Sequence, residues 1–196
     1  MPGPTPALVL ASASTHRRAL LRRFGLPFVS DSPDIDEQRL QGEAPEAYVR
    51  RLSEAKARTV AERHRNAVII GSDQTAVLGD RVLGKPGGHE QAVRQLLDAS
   101  GKRVEFLTGM CVLDTRTGDF HVDMVPYSVR FRELDMEMVE RYLEKEPAYD
   151  SAGSFHSEAL GITLFEAMQG DDPTALVGLP LIMLAHRLRQ AGYALP

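Results

Sequence analysis

A chain of 196 residues with 43% hydrophobic and 26% charged positions has the length and make-up of one globular domain, which excludes a disordered or fibrous polypeptide. The net charge of −4 argues against a general nucleic-acid coat, so any anionic partner must be met by local clusters of Arg and Lys. The single cysteine, Cys111, can form no internal disulfide and no thiolate metal cluster, and among Met110, Val112 and Leu113 it reads as a small buried hydrophobe.

Along 1–14 there is no positive leader, and the apolar run is too short for a signal peptide or membrane span, so cytoplasmic residence is expected. The pattern predicts a buried strand at 7–11, then a helix over 15–24 capped by Ser14 and ended by Gly25 and Pro27. An acidic loop over 30–42 precedes a long helix that Pro45 opens and that runs to about residue 65. A strand at 67–71 follows, then short extended pieces at 75–78 and 81–83, a Gly/Pro loop at 84–88 and a helix over 89–99. Residues 103–114 and 119–132 read as a hairpin turning at 115–118, followed by a helix over 135–145. A Ser/Gly-rich loop at 150–161, a strand near 162–167 and a helix over 180–191 close the chain. Crossover helices combined with a hairpin predict an α/β fold with a mixed sheet, in a single domain spanning 1–196.

Several polar residues stand where this pattern gives them chemical meaning. Asp73 directly follows the apolar run Val68, Ile69, Ile70 and Gly71, which places a carboxylate at the carboxyl end of a strand, the edge where open α/β sheets bind ligands. Ser12 and Ser14 lie between a strand and a helix start, so backbone amides there can face a phosphate, and Arg17 adds a forked donor. The alternative is an ordinary serine cap with a solvated arginine. Lys56 falls in the stripe of Val49, Leu52 and Val60 on the long helix, where a lysine either snorkels outward or aims its ammonium into a polar cavity.

The run from Gly79 to Lys85 has P-loop spacing, but Pro86 supplies neither the metal-binding hydroxyl nor an amide hydrogen, which rejects a Walker-type site. Lys85 can still reach a phosphate from that loop. Asp34, Asp36 and Glu37 offer hard oxygens for Mg²⁺ if a triphosphate completes the coordination, although acidic loops are commonly just solvated. Glu158 can accept hydrogen bonds from a nucleobase. Zincin, zinc-ribbon, α/β-hydrolase and Rossmann signatures are all missing.

Taken in order, the segments L-A-S-A-S-x-x-R-R at 10–18, D-I-D-E at 34–37, E-A-K-A at 54–57, G-S-D-Q at 71–74, G-K-P at 84–86, A-G-S-F-x-S-E-x-L-G-I at 152–162 and V-G-L-P-L at 177–181 resemble the Maf-like nucleoside triphosphate pyrophosphatases over nearly the whole chain. That resemblance implies a Maf/ITPase-like single domain whose strongly twisted mixed sheet, flanked by helices, carries a cleft at strand ends. It implies hydrolysis of a nucleoside triphosphate to the monophosphate and pyrophosphate with a divalent cation, Mg or Mn, in a homodimer with no nucleic-acid polymer or membrane as partner. Asp73 would be the catalytic base or a metal ligand, Glu37 a further metal ligand, and Ser12, Ser14, Arg17, Lys56 and Lys85 the phosphate-binding groups.

Gln74 and Glu158 look like the branch acting on 7-methylguanosine triphosphate rather than the one acting on dTTP and UTP. A carboxylate can accept from guanine N1 and N2 hydrogens and favours the positive charge of an N7-methylated ring. The chain departs from the family at Thr15 and His16, where proline and then an aromatic residue are usual; His16 can stack on a base, with a smaller face. The remaining alternatives are the same reaction on dTTP, UTP or other modified nucleotides, and a non-catalytic nucleotide sensor linked to cell division.

Overall fold

The computed structural model describes residues 5–196; the first four residues of the leader region weighed above lie outside them. The apolar run Ala7–Ala11 forms β1, and its last four residues are buried, as expected of a strand covered on both faces. It pairs in parallel with the short β2 (Val29–Ser30) on one side and with β3 (Ala67–Leu78) on the other. Beyond β3 the sheet turns antiparallel, through β5 (Arg103–Asp114), β6 (Phe120–Phe131) and β7 (Phe165–Gln169), while β4 (Arg81–Leu83) folds back on the end of β3. The result is one mixed seven-stranded sheet in an α/β domain.

Alternation along the central strands sends side chains to two cores. Leu8, Leu10, Val68, Ile70, Met110 and Val112 meet α1 (Thr15–Arg22) and α6 (Leu181–Gln190) through Leu20, Leu21, Leu184 and Leu188. Val9, Ala11, Ile69, Cys111 and Leu113 meet α2 (Pro45–Ala61) through Ala57 and Val60. Burial pushes the Cys111 thiol up to about 12, as befits an inert packing group. The far half of the sheet packs Phe106, Val129 and Phe131 against α3 (His89–Ala99) and α4 (Met136–Lys145).

Two glycines let α2 lie unusually close to the sheet. A Cβ on Gly71 would stand 2.1 Å from the Ser53 carbonyl oxygen, and one on Gly109 would stand 2.3 Å from that of Val49. This close approach brings Lys56, on the helix, to the strand that carries Asp73. Among the described residues no helix is long and apolar enough to cross a membrane.

The structure corrects the expected elements in four places, the first being the short β2, where no strand was expected. The pieces 67–71 and 75–78 are one twelve-residue strand, so Asp73 sits in the interior of β3 and not at its end. What ends there is the parallel pairing: β1 stops at Ala11, opposite Gly71, and β3 continues paired only with antiparallel strands. The termination of its neighbour therefore leaves Asp73, though buried, facing the cleft. The strand expected near 162–167 begins later, because Leu160–Leu164 is a 3-10 turn. A short helix, α5 (Pro173–Val177), capped by Asp172 and ended by Gly178 at φ 110°, was not legible before it. The rejected P-loop spacing spans the β3–β4 hairpin turn at Gly79 and runs through β4.

Candidate active site

One cleft of about 820 Å³ opens where β1 ends, and Ser12, Ser14, His16, Arg17, Glu37, Lys56, Asp73, Gln74, Lys85 and Glu158 all line it. Residues spread over almost 150 positions of sequence are thus brought to one concave surface.

At one end, Lys56 and Asp73 are both buried, and the Lys56 ammonium lies 2.6 Å from Asp73 Oδ1 and 2.8 Å from Glu37 Oε1. Burial raises the Glu37 carboxyl, but the hydrogen bond from Lys56 and the charges of Lys56, Lys85 and Arg17 outweigh it and hold the group below its usual value. The Arg17 guanidinium is lowered by burial, against the pull of Asp73 and Glu37. These opposed effects are the signature of cations and acids packed in one enclosed place.

Arg17 is aimed from behind: its Nε donates to the Gly178 carbonyl at 2.8 Å. The buried Ser72 hydroxyl lies 2.9 Å from the same oxygen and 2.9 Å from that of Gly109. The loop before α1 is organised by its hydroxyls. Ser12 Oγ accepts from the Ser14 amide at 3.1 Å, and Ser14 Oγ accepts from the Arg17 amide at 3.3 Å. The Arg17 amide is thus taken by the expected Ser14 cap and the Ser14 amide by Ser12, while those of Ala13, Thr15 and His16 have no partner among the described residues and remain available to an anion.

The other end of the cleft is built on loops. Glu158 is about a third exposed, and the half-exposed His16 places Nδ1 3.5 Å from its Oε1. Asp150 and His156 line this end too. Gln74 lies between the ends with its amide nitrogen committed, at 2.7 Å from the Ala175 carbonyl, 3.0 Å from that of Leu176 and 3.0 Å from Thr108 Oγ1. Only its Oε1 is left to contact a ligand. The two ends are tied together by Gln95, which accepts from Ser154 Oγ at 2.6 Å and donates to the Gly84 carbonyl at 3.0 Å, next to Lys85. Ser154 is held there at φ 66°, a left-handed conformation rare for a serine.

Among the lining residues that sequence reasoning missed are Arg39, Tyr48, Asp150 and His156. Tyr48 donates to the Glu37 carbonyl at 2.9 Å, and its hydroxyl is raised by burial and then by the charges of Asp73 and Glu37. A signal for it existed, since Tyr48, Leu52 and Lys56 recur every four residues on one helix face. Arg39 and His156 carried no local signal.

The family model for Maf-like proteins matches residues 7–191. The chain belongs to the Maf-like family. This Maf-like protein is 53% identical over 194 residues to a protein of Nitrosococcus oceani, covering 98% of each chain. It is 53% identical to a protein of Alcanivorax borkumensis over 196 residues, the whole of both chains, and 50% identical to one of Pseudomonas aeruginosa over 97% of its own length and 100% of the relative's. All three relatives bear the name 7-methyl-GTP pyrophosphatase.

Proposed function

We propose that this protein hydrolyses the α–β phosphoanhydride of a nucleoside triphosphate, 7-methyl-GTP above others, to the monophosphate and pyrophosphate. The observation that carries the proposal is the polarity of this cleft. Its four cationic side chains, Arg17, Arg39, Lys56 and Lys85, share it with Asp73 and Glu37, whereas the loop-built end holds Asp150 and Glu158. A triphosphate suits the first group, and a ring that carries positive charge and donor hydrogens suits the second. The names of the full-length relatives agree with that substrate.

The donor set fits a divalent metal such as Mg or Mn. Asp73 and Glu37 converge on one ammonium, so two hard oxygens already face a common cation-sized point. No group of three His, Cys, Asp or Glu gathers among the described residues to hold an ion unaided, which suits an ion completed by phosphate oxygens. Charge balance agrees, since Asp73 and Glu37 offset two of the four cations and a triphosphate carries roughly four negative charges. When bound there, the metal would neutralise phosphate charge and polarise the phosphoryl oxygens.

The chain's own residues divide the remaining tasks. Asp73 takes a proton from the attacking water as the new O–P bond forms at the α-phosphorus and the bond to the bridging oxygen breaks. Lys56 orients that carboxylate, and Arg17 and Lys85 stabilise the departing pyrophosphate. The free amides of Ala13, Thr15 and His16, presented by the loop that Ser12 and Ser14 brace, hold phosphate oxygens. His16 stacks on the base, while Glu158 and Gln74 read its edge. The enzyme acts in the cytoplasm as a homodimer.

A panel of natural and methylated triphosphates assayed for pyrophosphate with Mg²⁺ tests the proposal. The expected result is pyrophosphate release fastest from 7-methyl-GTP. Binding without product would favour a nucleotide sensor, and a preference for dTTP or UTP would overturn the choice of base.

A further inference from the structure

Glu158 has little of its own to aim it. Its carboxylate is about a third exposed, and its polar contacts among the described residues are His16 at 3.5 Å and the neighbouring Ser157 hydroxyl at 3.3 Å. Its direction is therefore set by the backbone of the turn that carries it. That turn closes tightly on itself, since a Cβ on Gly161 would stand 2.5 Å from the His156 carbonyl oxygen.

Both ends of this turn are held by one side chain from outside the cleft. Glu146, at the carboxyl end of α4, accepts from the Leu160 amide through Oε2 at 2.7 Å, and its Oε1 lies 3.0 Å from His156 Nδ1. Tyr142, one turn earlier on the helix, donates to Glu146 Oε1 at 3.3 Å and accepts from the His156 amide at 3.3 Å. The other imidazole nitrogen, Nε2, is buried with no hydrogen-bond partner among the described residues; Asp150 Oδ1 stands 3.6 Å from it and His16 meets the ring edge-on, so the hydrogen bond that fixes the ring is the one to Glu146. On the other side of His156 the chain is anchored by Phe155, stacked edge-on against Phe106, Phe131 and Phe165. Position 158 thus hangs between fixed points, two of which, at 156 and 160, are the two oxygens of one carboxylate.

We infer that Glu146, seconded by Tyr142, is a positioning residue for base selection: it grips the turn at His156 and Leu160 and so sets where Glu158 presents its carboxylate. This rests on the assignment of Glu158 as the base-reading group. A side chain that only stabilised the fold would affect all nucleotides alike; one that aims Glu158 affects them according to their base.

The test uses Glu146→Gln, which keeps size and one acceptor but cannot accept at both ends, and Tyr142→Phe, which removes only the hydroxyl. Calorimetry with non-hydrolysable α,β-methylene analogues of 7-methyl-GTP and UTP reads affinity apart from catalysis. Loss of one charge-assisted contact should lower the affinity ratio of the two analogues by about tenfold in Glu146→Gln, with a smaller fall in Tyr142→Phe. Inorganic triphosphate, which has no base, should bind both variants as it binds the parent protein. An unchanged ratio, or an equal loss for both analogues and for triphosphate, would overturn the inference. Failure of the parent protein to release pyrophosphate would instead defeat the proposed reaction and leave this ratio measurable.

Discussion

The two ends of the cleft are made of different material. The end proposed to bind phosphate takes Asp73 from the interior of a seven-stranded sheet and Lys56 from a helix pressed onto that sheet over two glycines, and both side chains are buried. The end proposed to read the base takes Glu158 and His156 from a turn and His16 from a helix start, and Glu158 and His16 are open to solvent. The lesson is a division of labour. Chemistry common to any nucleoside triphosphate needs groups that cannot drift, whereas recognition of one base can be adjusted in a loop without disturbing the sheet.

If that division holds, damage at the first end should be large and indifferent to the base. Asp73→Asn should lower turnover by roughly 10²–10⁴-fold on every triphosphate while circular dichroism shows a folded protein. Near-normal turnover would remove Asp73 from the chemistry. Gly109→Ala drives a methyl into the Val49 carbonyl, so it should destabilise the fold by about 1–3 kcal/mol in denaturant titration and displace Lys56 from Asp73. An unaffected midpoint would show that α2 does not need its close seat.

Damage at the second end should be smaller and selective. Glu158→Gln should reduce kcat/KM for 7-methyl-GTP relative to UTP by about tenfold, chiefly through KM, because the amide keeps the shape and loses the charge. A uniform loss across bases would erase the distinction between the ends. The smallest effect concerns the loop that delivers Glu37. Arg63, through its hydrogen bonds, and then His64 hold the Asp31 carboxyl at about 2, below its ordinary 3.8. A depressed folded-state value stabilises the protein above 3.8, and that contribution disappears as pH falls through 2. The Tm difference between the parent protein and Asp31→Asn should therefore be constant near neutrality and close between pH 4 and 2, as thermal melts across that range would show.

Much of this architecture was legible in the chain because it rests on local signals. The run 7–11, the lysine in the stripe of Val49, Leu52 and Val60, and the hairpin around 115–118 are periodic or turn patterns that tertiary packing leaves intact. The setting of Asp73 was not legible, since its place depends on where the neighbouring β1 stops, a fact about another segment. Arg39 and His156 were invisible for the same reason: nothing in their own surroundings distinguishes them until the loops fold over the sheet. The Ser14 cap on the Arg17 amide was legible at the helix start, but the hold of Ser12 on the Ser14 amide emerged only from the geometry.

The measurement closest to the central claim is hydrolysis in H₂¹⁸O, with products read by mass spectrometry. Attack by water beside Asp73 on the α-phosphorus puts the heavy oxygen in the nucleoside monophosphate and none in the pyrophosphate. Label in pyrophosphate, or formation of nucleoside diphosphate and orthophosphate, would contradict the account.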